Sequence, residues 1–178
     1  VNIVRHSSFP LPVALLLISL TVLAILFSAS SPIHILEIAY AEGGGRVFRT
    51  QINPGDHFSL GYIHSVQLSP VTDDFEIDQH YGILLVSTIF SDHGAGLSRN
   101  SHCGGTFSVR RDGRFEISGM CIFLPEILFR VGREHNNTFT CETRHINLSR
   151  LCGDALLTIR TRDYSVLTRL LWRVLNVK

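Results

Sequence analysis

The segment HFSLGYIHSVQLSPVTDDFEID, residues 57–78, decides how the chain folds. Successive residues of a strand point to opposite faces. Over His57–His64, one face takes Phe58, Leu60, Tyr62 and His64. Over Val71–Asp78, one face takes Val71, Asp73, Phe75 and Ile77, and the other takes Thr72, Asp74, Glu76 and Asp78. His64 and Asp73 are the polar residues on otherwise apolar faces. A hairpin reversing between Leu68 and Ser69 would set His64 opposite Asp73, Tyr62 opposite Phe75 and Leu60 opposite Ile77. Matching of this kind normally fixes register. A histidine and a carboxylate that share an apolar face are costly unless they pair. The expectation is therefore a His64–Asp73 contact, serving either to hold the hairpin or to meet a ligand or partner at a pocket mouth.

Short alternating segments continue on both sides of this hairpin. Candidate strands cover Val47–Ile52, Ile83–Ser91, Thr106–Arg111, Arg114–Ser118, Ile127–Val131, Thr138–Glu142 and Ala155–Arg160. Asn53-Pro54-Gly55-Asp56 and Asp112-Gly113 supply turn chemistry between them. Many short strands at close spacing predict a mainly β domain, a small antiparallel sandwich or barrel-like fold.

The first 36 residues read differently. Ser7–Leu36 contains no Asp, Glu, Lys or Arg, and Leu11–Phe27 is nearly all hydrocarbon. That length and composition predict a membrane anchor or signal helix over residues 1–36. Ser28-Ala29-Ser30 offers small residues at a signal-cleavage spacing, whereas the length of the apolar run favours a retained anchor. Arg5 precedes the run and Glu37 and Glu42 follow it, so the positive-inside rule exports the rest of the chain. Residues 37–45, ending in three glycines, read as a linker, and residues 46–163 as the exported β-rich domain. From 164 to 178, Leu167, Leu170, Leu171, Val174 and Val177 recur at helical spacing, with Arg169 and Arg173 on another face. This predicts a C-terminal amphipathic helix, lying on lipid or packed on the sheet.

The formal net charge is +1, which gives no electrostatic case for nucleic acid. Cys103, Cys121, Cys141 and Cys152 allow two disulfides in an oxidising compartment, or partly buried thiols. Nine histidines raise the question of metal, but no H-E-x-x-H or close His-x-His spacing occurs, so no metal or other cofactor is expected. Ser65 adjoins His64, and no G-x-S-x-G elbow exists, so no catalytic residue is assigned. Gly94-Ala95-Gly96 permits a close backbone approach, and its amides could hold a carboxylate.

His64-Ser65-Val66, Pro70-Val71, Asp73-Asp74-Phe75 and Gly94-Ala95-Gly96-Leu97 occur in that order. Together they resemble a small family of uncharacterised domains encoded beside TAXI-type TRAP transporters, over about Arg46 to Arg160. This chain departs from the family pattern with Asp73, where Glu is usual, and Ser98, where Pro is usual. The resemblance implies a membrane-anchored accessory of a solute transporter, held in the inner membrane by one N-terminal segment and facing the periplasm or exterior. The implied partners are the permease and its solute-binding protein. His64, Ser65, Asp73, Gly94 and Gly96 are the candidate contact residues. The alternative is a small exported enzyme or metal-binding protein built on His64 and Asp73.

Overall fold

The protein was analysed as a computed structural model that describes residues 11–29, 32–65, 68–91 and 105–165. Leu11–Ala29 forms helix α1, and the side chains of residues 11–24 are mostly exposed. Among the described residues, no helix is long and apolar enough to cross a membrane, so the predicted anchor finds no support there. His34–Arg162 forms a separate compact unit, which holds nearly all of the β structure.

Among the described residues, eleven strands form two antiparallel sheets. The first strands are β1 (Pro32–Tyr40), β2 (Arg46–Gln51), β3 (His57–Ile63), β4 (Pro70–Ile77), β5 (Ile83–Phe90) and β6 (Thr106–Val109). They are followed by β7 (Phe115–Leu124), β8 (Ile127–Val131), β9 (Thr138–Cys141), β10 (Arg144–Asn147) and β11 (Ala155–Ser165). The smaller sheet runs β2-β1-β11-β8, and the larger runs β10-β9-β3-β4-β5-β7-β6. A one-turn helix, α2 (Leu148–Cys152), starts where the Asn147 side chain accepts the Arg150 amide hydrogen at 2.9 Å.

Alternation decides what is buried. Leu36, Ile38, Phe129, Val131, Leu157 and Ile159 face inward from the smaller sheet. Phe58, Leu60, Phe75, Ile77, Ile83 and Phe139 meet them from the larger. Phe139 is fully buried and its ring lies 5.2 Å from Phe48 and 5.7 Å from Phe58, centre to centre. These are ordinary distances for tilted aromatic pairs. The sandwich expected from the sequence is thus present.

Several boundaries differ from expectation, among them the end of β7, which runs past Ser118 to Leu124. The stretch assigned to the end of the apolar segment and to a linker is strand β1, with Leu36, Glu37, Ile38 and Ala39 all buried. The pattern is disguised because Ile35-Leu36 and Ile38-Ala39-Tyr40 set apolar residues side by side, so His34 and Glu37 give no clean alternation. β10 and α2 are additional elements between Thr138–Cys141 and Ala155. Tyr164 and Ser165 end β11 rather than start a helix, and the rest of the predicted C-terminal helix lies outside the described residues. Cys141 is a buried free thiol and Cys152 a half-buried one. Neither joins a disulfide; Cys121 is exposed on β7, and Cys103 lies outside the described residues.

Candidate functional site

β3 and β4 do form an antiparallel hairpin, but in a different register. Phe58 pairs with Phe75, Leu60 with Asp73, and Tyr62 with Val71. Each residue's partner is displaced by four residues from the expected one. The cause is the turn. His64 donates its amide hydrogen to the Ser69 carbonyl at 2.9 Å and accepts the Leu68 amide hydrogen at 2.9 Å. Leu68 takes a positive φ of 52° to close it. The His64–Ser69 bond therefore centres the reversal two residues before the expected midpoint between Leu68 and Ser69. Pro70, which has no amide hydrogen, opens β4, a position proline tolerates.

The His64–Asp73 pairing is accordingly corrected. Four residues of extended strand, roughly 13 Å, separate the His64–Ser69 level from Asp73. Ser65 is exposed in the same turn. Gly94 and Gly96 lie outside the described residues.

Asp73 has other partners. Cross-strand pairing places Phe139, Leu60, Asp73, Thr88, Ile117 and Phe107 in one row across six strands. Asp73 is the charged member of that row. Thr88, directly opposite on β5, donates its hydroxyl hydrogen to Asp73 Oδ1 at 2.9 Å. Tyr62 reaches across from the neighbouring row and donates its hydroxyl hydrogen to Asp73 Oδ2 at 3.1 Å. Each carboxylate oxygen thus accepts one hydroxyl. Around this cluster stand Val71, Phe90 and Ile117, a second apolar group to which Tyr62, Phe115 and Met120 also pack.

The electrostatics follow from that setting. Burial raises the Asp73 carboxyl above its ordinary value; the Thr88 and Tyr62 hydroxyls oppose the shift, and the neighbouring Asp74 charge adds to it. Tyr62 is likewise raised, first by burial and then by the facing Asp73 charge. A carboxyl placed this way can accept hydrogen bonds when ionised and donate one when protonated. Its chemistry suits a ligand or side chain that has an apolar body and one polar end.

Sequence reasoning placed Asp73 on the inward face but missed Tyr62 and Thr88 as its partners. Thr88 was hidden by a bulge. Phe75 pairs with Leu85 and Asp74 with Ser87, leaving Val86 as an extra residue. Counting by twos from Ile83 therefore turns Thr88 outward, whereas the bulge turns it in.

The opposite face of the same sheet is polar. Ser59 donates to Asp74 at 2.6 Å, Arg110 donates to Glu116 at 2.8 Å, and Thr140 lies 2.8 Å from His145 Nδ1. Among the described residues, no group of three or more His, Cys, Asp or Glu side chains is placed to hold a metal ion.

No curated protein and no solved structure matches this sequence. A family model for a domain of unknown function, DUF1850, matches residues 58–148, just over half of the chain. The matched segment begins on β3 and ends at the start of α2, so it contains the turn at His64 and the whole Tyr62–Asp73–Thr88 cluster. The chain belongs to the DUF1850 family of domains of unknown function.

Proposed function

We propose that this protein is an exported interaction module, an accessory of a TAXI-type TRAP transporter that contacts its partner through the inner-face cluster at Asp73. The observation that supports this reading is the half-buried Asp73 carboxylate, held by the Thr88 and Tyr62 hydroxyls within an apolar sheet face. Such a group fixes the orientation of a partner segment that brings both apolar surface and a polar end. The TRAP assignment rests on the resemblance of His64-Ser65-Val66, Pro70-Val71 and Asp73-Asp74-Phe75 to domains encoded beside those transporters. In this reading the apolar segment Leu11–Ala29 keeps the domain at the inner membrane, on the periplasmic or exterior side. The partners are the permease and its solute-binding protein.

The test is co-expression with a TAXI-type permease and its binding protein, followed by co-purification in mild detergent. Association that weakens in Asp73→Ala is the expected result. Failure of the wild-type chain to associate would overturn the accessory reading.

A further inference from the structure

The outer face of the smaller sheet carries a charge asymmetry that the whole-chain balance conceals. Its four strands contain five arginines, Arg46, Arg49, Arg130, Arg160 and Arg162. All five fall on the face away from the core. Arg49 is paired with Glu37 across β2 and β1, Arg46 with Ala39, and Arg130 with Leu156 across β8 and β11. Arg160 and Arg162 alternate with the inward Ile159 on β11. One carboxylate, Glu37, shares that face. It lies 3.5 Å from Arg160, 3.6 Å from Arg46 and 3.7 Å from Arg162.

One carboxylate cannot neutralise three guanidinium groups, and Arg49 and Arg130 stand exposed beside them. Among the described residues of these four strands, that face carries five arginines to one carboxylate. The Arg160 Nε is buried with no hydrogen-bond acceptor. Leu128 is 61% exposed and lies on the same face, between the arginine rows, opposite Thr158. An exposed leucine among arginines is poorly suited to a nucleic-acid backbone. It suits the headgroup layer of a bilayer, where guanidinium groups meet phosphates and an apolar side chain enters the acyl boundary.

We propose that this arginine face docks on an anionic phospholipid surface. The proposal rests on the membrane reading above and adds to it which surface of the domain meets the lipid.

The full chain is titrated with phosphatidylcholine vesicles, with and without phosphatidylglycerol, and the partition coefficients are compared. Phosphatidylglycerol is expected to raise partitioning of the wild type, and added salt to remove the gain. The variant Arg49→Gln/Arg130→Gln/Arg162→Gln should lose about 100-fold of that gain, at about fivefold per residue. The variant Glu37→Gln removes the opposing charge and should raise it about fivefold. It keeps the side-chain shape, and its effect has the opposite sign from that of general destabilisation. Absence of a phosphatidylglycerol-dependent gain, or a gain untouched in both variants, would overturn the proposal. So would tighter binding to a labelled DNA duplex than to anionic vesicles at the same salt. Failure of the wild type to bind phosphatidylcholine alone would instead count against membrane anchoring, and leaves the phosphatidylglycerol comparison intact.

Discussion

The Tyr62 hydroxyl donates a 3.1 Å hydrogen bond to Asp73, although neither residue is the other's cross-strand partner. Tyr62 stands opposite Val71, and Asp73 opposite Leu60. The bond runs diagonally, from one row of the sheet to the next, which a long aromatic side chain can span. Thr88 completes the site from the other side at 2.9 Å. Three strands thus converge on one carboxylate, and β3, β4 and β5 are tied together at the point where the inner face is most polar.

Removing that carboxylate strands its partners. Asp73→Ala leaves the buried Thr88 hydroxyl and the Tyr62 hydroxyl without their acceptor. The expected cost is about 1–3 kcal/mol of stability. Asp73→Asn keeps an acceptor oxygen, and hydroxyls can turn to accept from its amide, so its cost should stay below about 1 kcal/mol. Urea unfolding of the two variants checks the order; an Asn variant as weak as the Ala variant would contradict the hydrogen-bond account.

The same group gives stability a pH dependence with a definite sign. Burial raises the folded-state pKa of Asp73 above its ordinary value of 3.8. Between those two values the native state holds more protons than the unfolded chain, so this group's contribution falls as pH rises through that window. Below the ordinary value the contribution is fully present, and above the folded value it is lost. Unfolding measured from pH 3 to pH 7, roughly bracketing a carboxyl's titration, should show Asp73→Asn improving relative to wild type as pH rises. A constant difference across that range would show that Asp73 titrates at its ordinary value.

Much of the larger sheet is legible in alternation alone. There β3, β4, β5 and β9 end within a residue or so of their predicted limits, and in the smaller sheet Ile127–Val131 occupies its expected span. What alternation cannot supply is the centre of a turn. The faces of Phe58, Leu60, Tyr62, Asp73 and Phe75 are right, because the actual register differs from the expected one by an even number of residues on each strand. Their partners are wrong because His64 meets Ser69, which centres the reversal two residues earlier than expected. The bulge at Val86 is silent for a similar reason: one extra residue reverses every later face, and neither glycine nor proline marks it. β1 was missed because no charge separates it from the preceding apolar segment before Glu37, and its own residues lack a clean period-two alternation.

The corrected register makes its own prediction through double-mutant cycles. His64→Ala combined with Asp73→Asn should be additive to within about 0.5 kcal/mol, since the residues are well separated along the strands. Tyr62→Phe combined with Asp73→Asn should show a coupling of about 1 kcal/mol, because both changes remove the same hydrogen bond. The reverse result would restore the expected register.

Gly61 gives a test on the outer face of the same hairpin. It pairs with Thr72 on β4 and with Thr138 on β9. A Cβ placed on Gly61 would come within 2.5 Å of the Thr138 hydroxyl oxygen. Threonine is stiff about its first side-chain torsion, so the hydroxyl cannot simply swing away. Gly61→Ala would ordinarily strengthen a strand, because alanine loses less backbone freedom on folding than glycine. Here the clash should win, at a cost of about 1–2 kcal/mol. Thr138→Ala removes the obstructing oxygen. In the double variant Gly61→Ala/Thr138→Ala the penalty of the first change should largely vanish, giving a coupling of about 1 kcal/mol. Additive costs would mean that β3 and β9 do not approach at this pair, and would place the edge formed by β9 and β10 in a different register against the hairpin that carries Asp73.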